Sequence, residues 1–247
     1  MTESPSTKFI ALVTIVAAPF ALGAFLLGWG PAQQFSSTDP RSDGYVQPRS
    51  ISEMIEKVQT STVTVFCELG DEKFKQGTGW AIDLPNGVEK DFQTSLITNH
   101  HVIEACIGKE GSLTVALLFE DPVKTKIIKW DEENDLALLA ADLDIPPLGL
   151  SEYEPWPGYW NMVLGSADSY EGSVSFGTIL NTTTNQLLLT NNVSKGNSGG
   201  PVVDNEGNVV GVVTFIAKEE QYNVAMSLNA FCAKILTCEK DYYWKRD

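Results

Sequence analysis

The amino-acid sequence predicts an all-β protein carried behind an N-terminal apolar segment. Three observations point there. About a dozen short apolar or alternating runs, split by Gly, Asn, Asp and Pro, follow residue 50. No long stretch of 3.6-residue apolar period lies between those runs, which speaks against a doubly wound α/β sheet. Apolar residues make up 43% of the 247, enough for a sizeable core and too many for a disordered chain.

The elements follow in chain order. Phe9 to Trp29 is uncharged throughout. A helix of that length spans about 31 Å, enough to cross a bilayer. Lys8 precedes it and no Lys or Arg follows before Arg41, a bias that keeps the N-terminus inside and exports the rest. Residues 1–30 therefore read as a transmembrane signal-anchor. A cleaved signal peptide, with Gly30-Pro31-Ala32 supplying small residues, and a buried core helix are the alternatives. Residues 31–50, rich in Pro, Ser and Asp, form a linker. Ser50 or Ser52 then caps a short helix through Lys57, with Ile51, Met54 and Ile55 on one face. Strands are expected near 61–67, 76–83, 93–99, 113–119, 125–130, 135–141, 160–165, 173–180, 186–190, 200–204, 208–215 and 221–226. Asp204-Asn205-Glu206-Gly207 signals a hairpin between two of them. Leu228, Phe231, Cys232, Ile235 and Leu236 have the spacing of a short terminal helix.

Charge and cysteine content narrow the function classes. Seventeen Lys and Arg against 32 Asp and Glu give a net charge of −15, so no nucleic-acid partner is expected. Cys67, Cys106, Cys232 and Cys238 contain no C-x-x-C pair, and the two histidines are adjacent, so neither a metal site nor an organic cofactor is expected. The cysteines read as two disulfides, with free buried thiols as the rival; export favours the disulfides. Four cysteines allow three connectivities. Cys67–Cys106 with Cys232–Cys238 keeps each bridge within one half of the chain.

The chemistry-bearing residues are few. In Gly196-Asn197-Ser198-Gly199-Gly200-Pro201, three glycines and a proline around one serine make a tight turn. Such a turn exposes the Ser198 hydroxyl and aims backbone N–H groups from Gly196, Asn197 and Ser198 at a developing oxyanion. A serine nucleophile needs a base, and only His100 and His101 are available. They end the apolar run Ser95 to Thr98, where a scaffold presents a side chain rigidly. The base needs an orienting carboxylate. Asp135, at the mouth of Leu136-Ala137-Leu138-Leu139, is placed to be desolvated, whereas Asp131 reads as a solvated turn residue. No histidine follows Ser198, which excludes the Ser…Asp…His order of α/β-hydrolases. The subtilisin order needs an α/β sheet. His101…Asp135…Ser198 on an all-β chain leaves the chymotrypsin arrangement.

Gly77-Thr78-Gly79-Trp80-Ala81, Thr98-Asn99-His100-His101-Val102, Asp135-Leu136-Ala137-Leu138 and Gly196 to Pro201 resemble the trypsin-fold serine proteases, and most of all their HtrA (Deg) branch. Ile55-Glu56-Lys57-Val58, Gly165-Ser166 with Gly172-Ser173-Val174, and Gly207 to Thr214 are similar too. The resemblance covers about residues 50–230. It implies two six-stranded β-barrels, about 51–145 and 146–235, within a protease domain over 51–247, and an active site between them. It assigns His101 as base, beside which His100 is a departure from the family pattern. The family commonly carries a PDZ domain after the protease. None fits before Asp247, so capture of substrates by such a domain is not carried over. Asn192, Thr214, Phe215 and Ala225 are the expected walls of the primary specificity pocket. Asn192 stands where a trypsin-like enzyme has Asp, so an uncharged pocket for a small or apolar residue is expected. The implied function is a serine endopeptidase acting on proteins or peptides, membrane-anchored with its protease domain outside the cytoplasm, or secreted. A latent or noncatalytic protease-fold binding module is the alternative, and an esterase with the same triad a third.

Overall fold

The computed structural model describes residues 43–71, 73–84, 87–109, 111–216 and 222–236, with the side chains of Phe215 and Ile216 excepted. The expected membrane span and most of the linker lie outside them. Among the described residues no helix is long and apolar enough to cross a membrane.

Among the described residues twelve strands form, one at each expected run. They are β1 (Thr62–Gly70), β2 (Lys73–Ile82), β3 (Thr94–Thr98), β4 (Leu113–Leu117), β5 (Val123–Asp131), β6 (Leu136–Ala141), β7 (Trp160–Ala167), β8 (Tyr170–Thr182), β9 (Gln186–Leu189), β10 (Pro201–Val203), β11 (Val209–Ile216) and β12 (Asn223–Ser227). β8 is longer than its apolar run. It pairs with β7 from Tyr170 and with β9 up to Thr182, and those backbone bonds carry polar residues into the strand. The strands close into two barrels, in the orders β1-β2-β3-β6-β5-β4 and β7-β8-β9-β12-β11-β10. Both barrels are antiparallel throughout.

Side-chain alternation explains why several strands are apolar on both faces. Leu96, Ala137, Leu139 and Ala81 fill the first barrel with Val63, Val65 and Val115. Their neighbours Trp80, Ile97, Leu136 and Leu138 face the other way. There they meet Met162, Leu164, Val203, Val209 and Val212 of the second barrel in one cluster. Val163, Val202, Val210 and Val213 fill the second barrel. One strand face thus packs its own barrel and the other packs the seam between barrels.

The flanking helices close that seam. Helix α1 (Ile51–Thr60) runs beyond the expected Lys57, because Val58 is buried one turn after Met54. Ser50 occupies the N-cap position but offers its carbonyl, not its hydroxyl, to Met54 N–H at 3.2 Å, so the expected side-chain cap is not formed. After β12 one α-helical turn (Leu228–Phe231) passes into a wider π-type turn (Cys232–Leu236). Phe231 packs against Trp80 with ring centroids 6.0 Å apart.

The hairpin at Asp204–Gly207 joins β10 to β11, with Gly207 at φ +76°. The Asp204 carboxylate organises it by accepting from Glu206 N–H and Asn208 N–H, each at 2.9 Å. Cys67 and Cys106 form a disulfide, Cα atoms 5.8 Å apart. Cys232 is also disulfide-bonded; Cys238, the partner expected for it, lies outside the described residues.

Candidate active site

The two histidines part company at the end of β3. Asn99 is still extended, and a single helical turn (His100–Ile103) follows. Val102 and Ile103 pack into the first barrel, and the next turn ends at Cys106, held to β1 by its disulfide. That anchoring buries His100 and leaves the half-exposed His101 facing Asp135.

Asp135 ends a tight turn in which Asp131 accepts from Glu133 N–H (3.1 Å) and Asn134 Nδ2 (2.7 Å). Its own backbone is left-handed, at φ +52°, a region few non-glycine residues occupy. Three contacts reach the carboxylate and a fourth holds the backbone of the same residue. His101 N–H donates to Oδ1 at 2.8 Å, and His101 Nδ1 lies 2.7 Å from Oδ2. Thr214 Oγ1 donates to Oδ2 at 2.5 Å, and Asn99 Nδ2 holds the Asp135 backbone carbonyl at 2.7 Å. Burial pushes the Asp135 carboxyl up, but the hydrogen bonds from His101 and Thr214 outweigh it, and the net shift is down. The group is therefore a carboxylate at neutral pH, and it fixes a proton on His101 Nδ1.

Thr214 was expected in a pocket wall. Its hydroxyl faces Asp135. The β11–β12 pairing slips between Val213 and Phe215, so Thr214 sits at a bulge that re-aims it. Its carbonyl accepts the Ser198 hydroxyl at 3.1 Å. Ser198 Oγ thus donates to Thr214 rather than to the His101 ring, while Thr214 bridges the serine and carboxylate segments.

A full account of the peptide groups around Ser198 shows which donors are left over. Asn197 N–H donates to Ser194 O (3.2 Å) and Gly199 N–H to Val213 O (2.8 Å). All four carbonyls are accepted for as well. Lys195 O takes Asp168 N–H (2.6 Å), Asn197 O takes Gly200 N–H (2.9 Å) and Ser198 O takes Thr78 N–H (2.8 Å). Gly196 O takes the Thr78 hydroxyl (2.6 Å). Among the described residues the Gly196 and Ser198 N–H groups have no acceptor. The Asn197 N–H, expected among the oxyanion donors, is committed to Ser194. Glycine is required here on steric grounds: a Cβ on Gly196 would lie 2.1 Å from Ser166 O, and one on Gly199 2.2 Å from Thr78 O.

Asn192, Phe215 and Ala225 are the other residues expected in the pocket walls. Asn192 is exposed, and Ala225 is packed with Leu187 and Val213 inside the second barrel. The Phe215 side chain lies outside the described side chains. The structure adds roles for Asn99, Thr78 and the Thr214 hydroxyl that the sequence does not show, because each acts on a residue distant in the chain. Among the described residues no cluster of metal ligands occurs.

Comparison with known proteins gives a family and a fold. A family model described as trypsin-like peptidase domain matches residues 77–212. A probable periplasmic serine endoprotease, DegP-like, from Chlamydia muridarum is 31% identical over 133 residues, covering 49% of this chain and 26% of that one. An uncharacterized protein, y4bJ, from Sinorhizobium fredii is 33% identical over 135 residues, or 49% of this chain and 20% of that protein. The chain thus spans about a quarter of the length of these curated relatives. The active form of the Rv3671c protease from M. tuberculosis superposes with a TM-score of 0.63 at 21% identity, over 79% of this chain and 90% of the other. The serine endoprotease from Yersinia pestis gives 0.62 at 20% identity, over 76% and 66%.

Proposed function

The chain belongs to the trypsin-like peptidase domain family, and from that premise we propose that it hydrolyses peptide bonds in protein or peptide substrates through His101, Asp135 and Ser198. The observation that carries the reading is the peptide accounting at residues 195–199. Among the described residues the two N–H groups that flank Asn197, those of Gly196 and Ser198, have no acceptor and lie beside a serine hydroxyl, in a turn whose carbonyls from Lys195 to Ser198 are all bonded.

The steps follow from the hydrogen bonds. With Nδ1–H held by Asp135, the lone pair of His101 is on Nε2. Ser198 Oγ leaves the Thr214 carbonyl, turns toward the substrate and gives its proton to Nε2 as it attacks the scissile carbonyl carbon. The carbonyl oxygen becomes an oxyanion between the Gly196 and Ser198 N–H groups. Nε2–H then protonates the leaving amine as the C–N bond breaks. Water repeats the cycle on the acyl-enzyme, returning the proton to Ser198.

The reading extends to location. The Cys67–Cys106 disulfide fits an oxidising compartment, and DegP-like relatives are described as periplasmic. Residues 9–29 supply the anchor or signal that delivers the protease domain outside the cytoplasm.

A latent form of the same enzyme draws on one observation, the Ser198 hydroxyl resting on Thr214 O. One experiment separates the readings. The full-length protein in detergent is treated with a fluorophosphonate beside its Ser198→Ala and His101→Ala variants. Labelling that requires both residues supports the hydrolase. A folded wild type that takes up no label refutes an assembled active site and leaves the latent or noncatalytic module.

A further inference from the structure

The geometry points to Thr78 as a positioning residue for the oxyanion donors, a role that rests on the hydrolase reading above. Thr78 belongs to the first barrel, yet it touches the Ser198 turn of the second barrel twice. Its N–H donates to Ser198 O at 2.8 Å, and its hydroxyl donates to Gly196 O at 2.6 Å. The direction of the hydroxyl is determined. Ser166 N–H donates to Thr78 Oγ1 at 3.0 Å, which occupies the oxygen as an acceptor and leaves its single hydrogen for Gly196 O. Thr78 and Ser166 are fully buried, so water does not replace either bond.

The consequence lies in which peptides Thr78 holds. Gly196 O and Ser198 O belong to the peptides that follow each of the two unpaired N–H groups. The Gly196 carbonyl lies in the peptide between the two N–H-bearing ones and the Ser198 carbonyl in the peptide just beyond them, so holding both limits the angle between the Gly196 and Ser198 N–H vectors. The contact depends on two glycines. A Cβ on Gly165 would lie 2.8 Å from Thr78 Oγ1, and Gly196 adopts φ +96°. Thr98 Oγ1 in turn donates to Thr78 O at 2.7 Å, fixing Thr78 from the strand that leads to His101. Thr78 therefore registers the oxyanion donors of one barrel against the base carried by the other.

The substitution Thr78→Val keeps the shape and removes the hydroxyl, leaving Gly196 O and Ser166 N–H unpaired. Deleting one oxyanion donor typically lowers kcat by about 10²–10³. A misdirected donor loses part of that. On a peptide substrate we expect kcat to fall roughly 10- to 100-fold with KM within about twofold, and Thr78→Ser to restore kcat. Thr62→Val is the control: Thr62 is equally buried and donates to Val58 O at 2.7 Å, away from the site, so it lowers stability and leaves kcat unchanged. A folded Thr78→Val enzyme with wild-type kcat, or a Thr62→Val variant with the same kcat loss, overturns the role. If Thr78→Val does not fold, the crystal structure of the phosphonylated wild type decides. The role requires the phosphoryl oxygen on Gly196 and Ser198 N–H with Gly196 O still on Thr78, and a Gly196 carbonyl turned away from Thr78 refutes it. A wild type that takes up no phosphonate overturns the hydrolase reading and this role together, whereas a labelled wild type beside a fully active Thr78→Val overturns this role alone.

Discussion

Replacing Asp135 by Asn changes one oxygen for an NH₂ group, and the structure dictates which one. His101 N–H donates to Oδ1, so an amide at this position keeps its oxygen there; the flipped amide would set NH₂ against N–H. The NH₂ group is then directed at the Oδ2 position, facing His101 Nδ1 and Thr214 Oγ1. It can satisfy Nδ1 only as a donor, which moves the imidazole proton to Nε2, the atom that must accept the Ser198 proton. The variant keeps its geometry and loses its base. A wrong tautomer of this kind lowers kcat by about 10⁴, and at 1.36 kcal/mol per tenfold that corresponds to about 5.5 kcal/mol of barrier. The assay is kcat on a peptide substrate, with fluorophosphonate labelling rate as a second readout and thermal denaturation to establish folding. A folded Asp135→Asn enzyme that keeps more than a tenth of wild-type kcat would falsify the tautomer argument and with it the assignment of Asp135 as the orienting group.

Three further outcomes follow. The folded Asp135 carboxyl titrates below its ordinary 3.8, so it contributes stability above that value that is lost as pH falls through the lowered one; urea denaturation between pH 5 and 2 should show a steeper loss for wild type than for Asp135→Asn, and parallel curves would count against it. Asp204 is shifted the other way, because burial outweighs the hydrogen bonds from Ser151, Asn208 and Glu206. Its ionisation is disfavoured by the fold, so wild-type stability declines as pH rises through the raised value, and Asp204→Asn should be more stable at pH 7 and lose that advantage in acid; equal advantage at both pH values would refute the burial argument. Opening Cys67–Cys106 by a Cys67→Ser, Cys106→Ser double change releases a cross-link of sequence separation 39 and should cost about 2–4 kcal/mol in denaturant unfolding, against which no change would argue.

Much of this protein is legible without its structure, and the reasons are local. Strand positions follow from runs of Val, Ile, Leu and Thr ended by turn residues, a pattern set within each run. The serine turn announces itself because only glycine tolerates φ +96° at Gly196 and the 2.1 Å approach of Ser166 O. The order His101, Asp135, Ser198 narrows the fold because it is a property of the chain itself. Thr214 shows where such reasoning ends. The family resemblance puts it in the pocket wall, and only the bulge, which depends on the pairing with β12, shows its hydroxyl on Asp135, 79 positions away in the chain. Asn197 was grouped with its neighbours as an oxyanion donor, and only the location of Ser194 O removes it. Composition and periodicity determine what each residue prefers to bury or expose. Tertiary structure alone decided which strand of one barrel stands beside which turn of the other, because a hydrogen bond is directional and short-ranged, and the partner at 2.6 Å of the Thr78 hydroxyl lies 118 residues away.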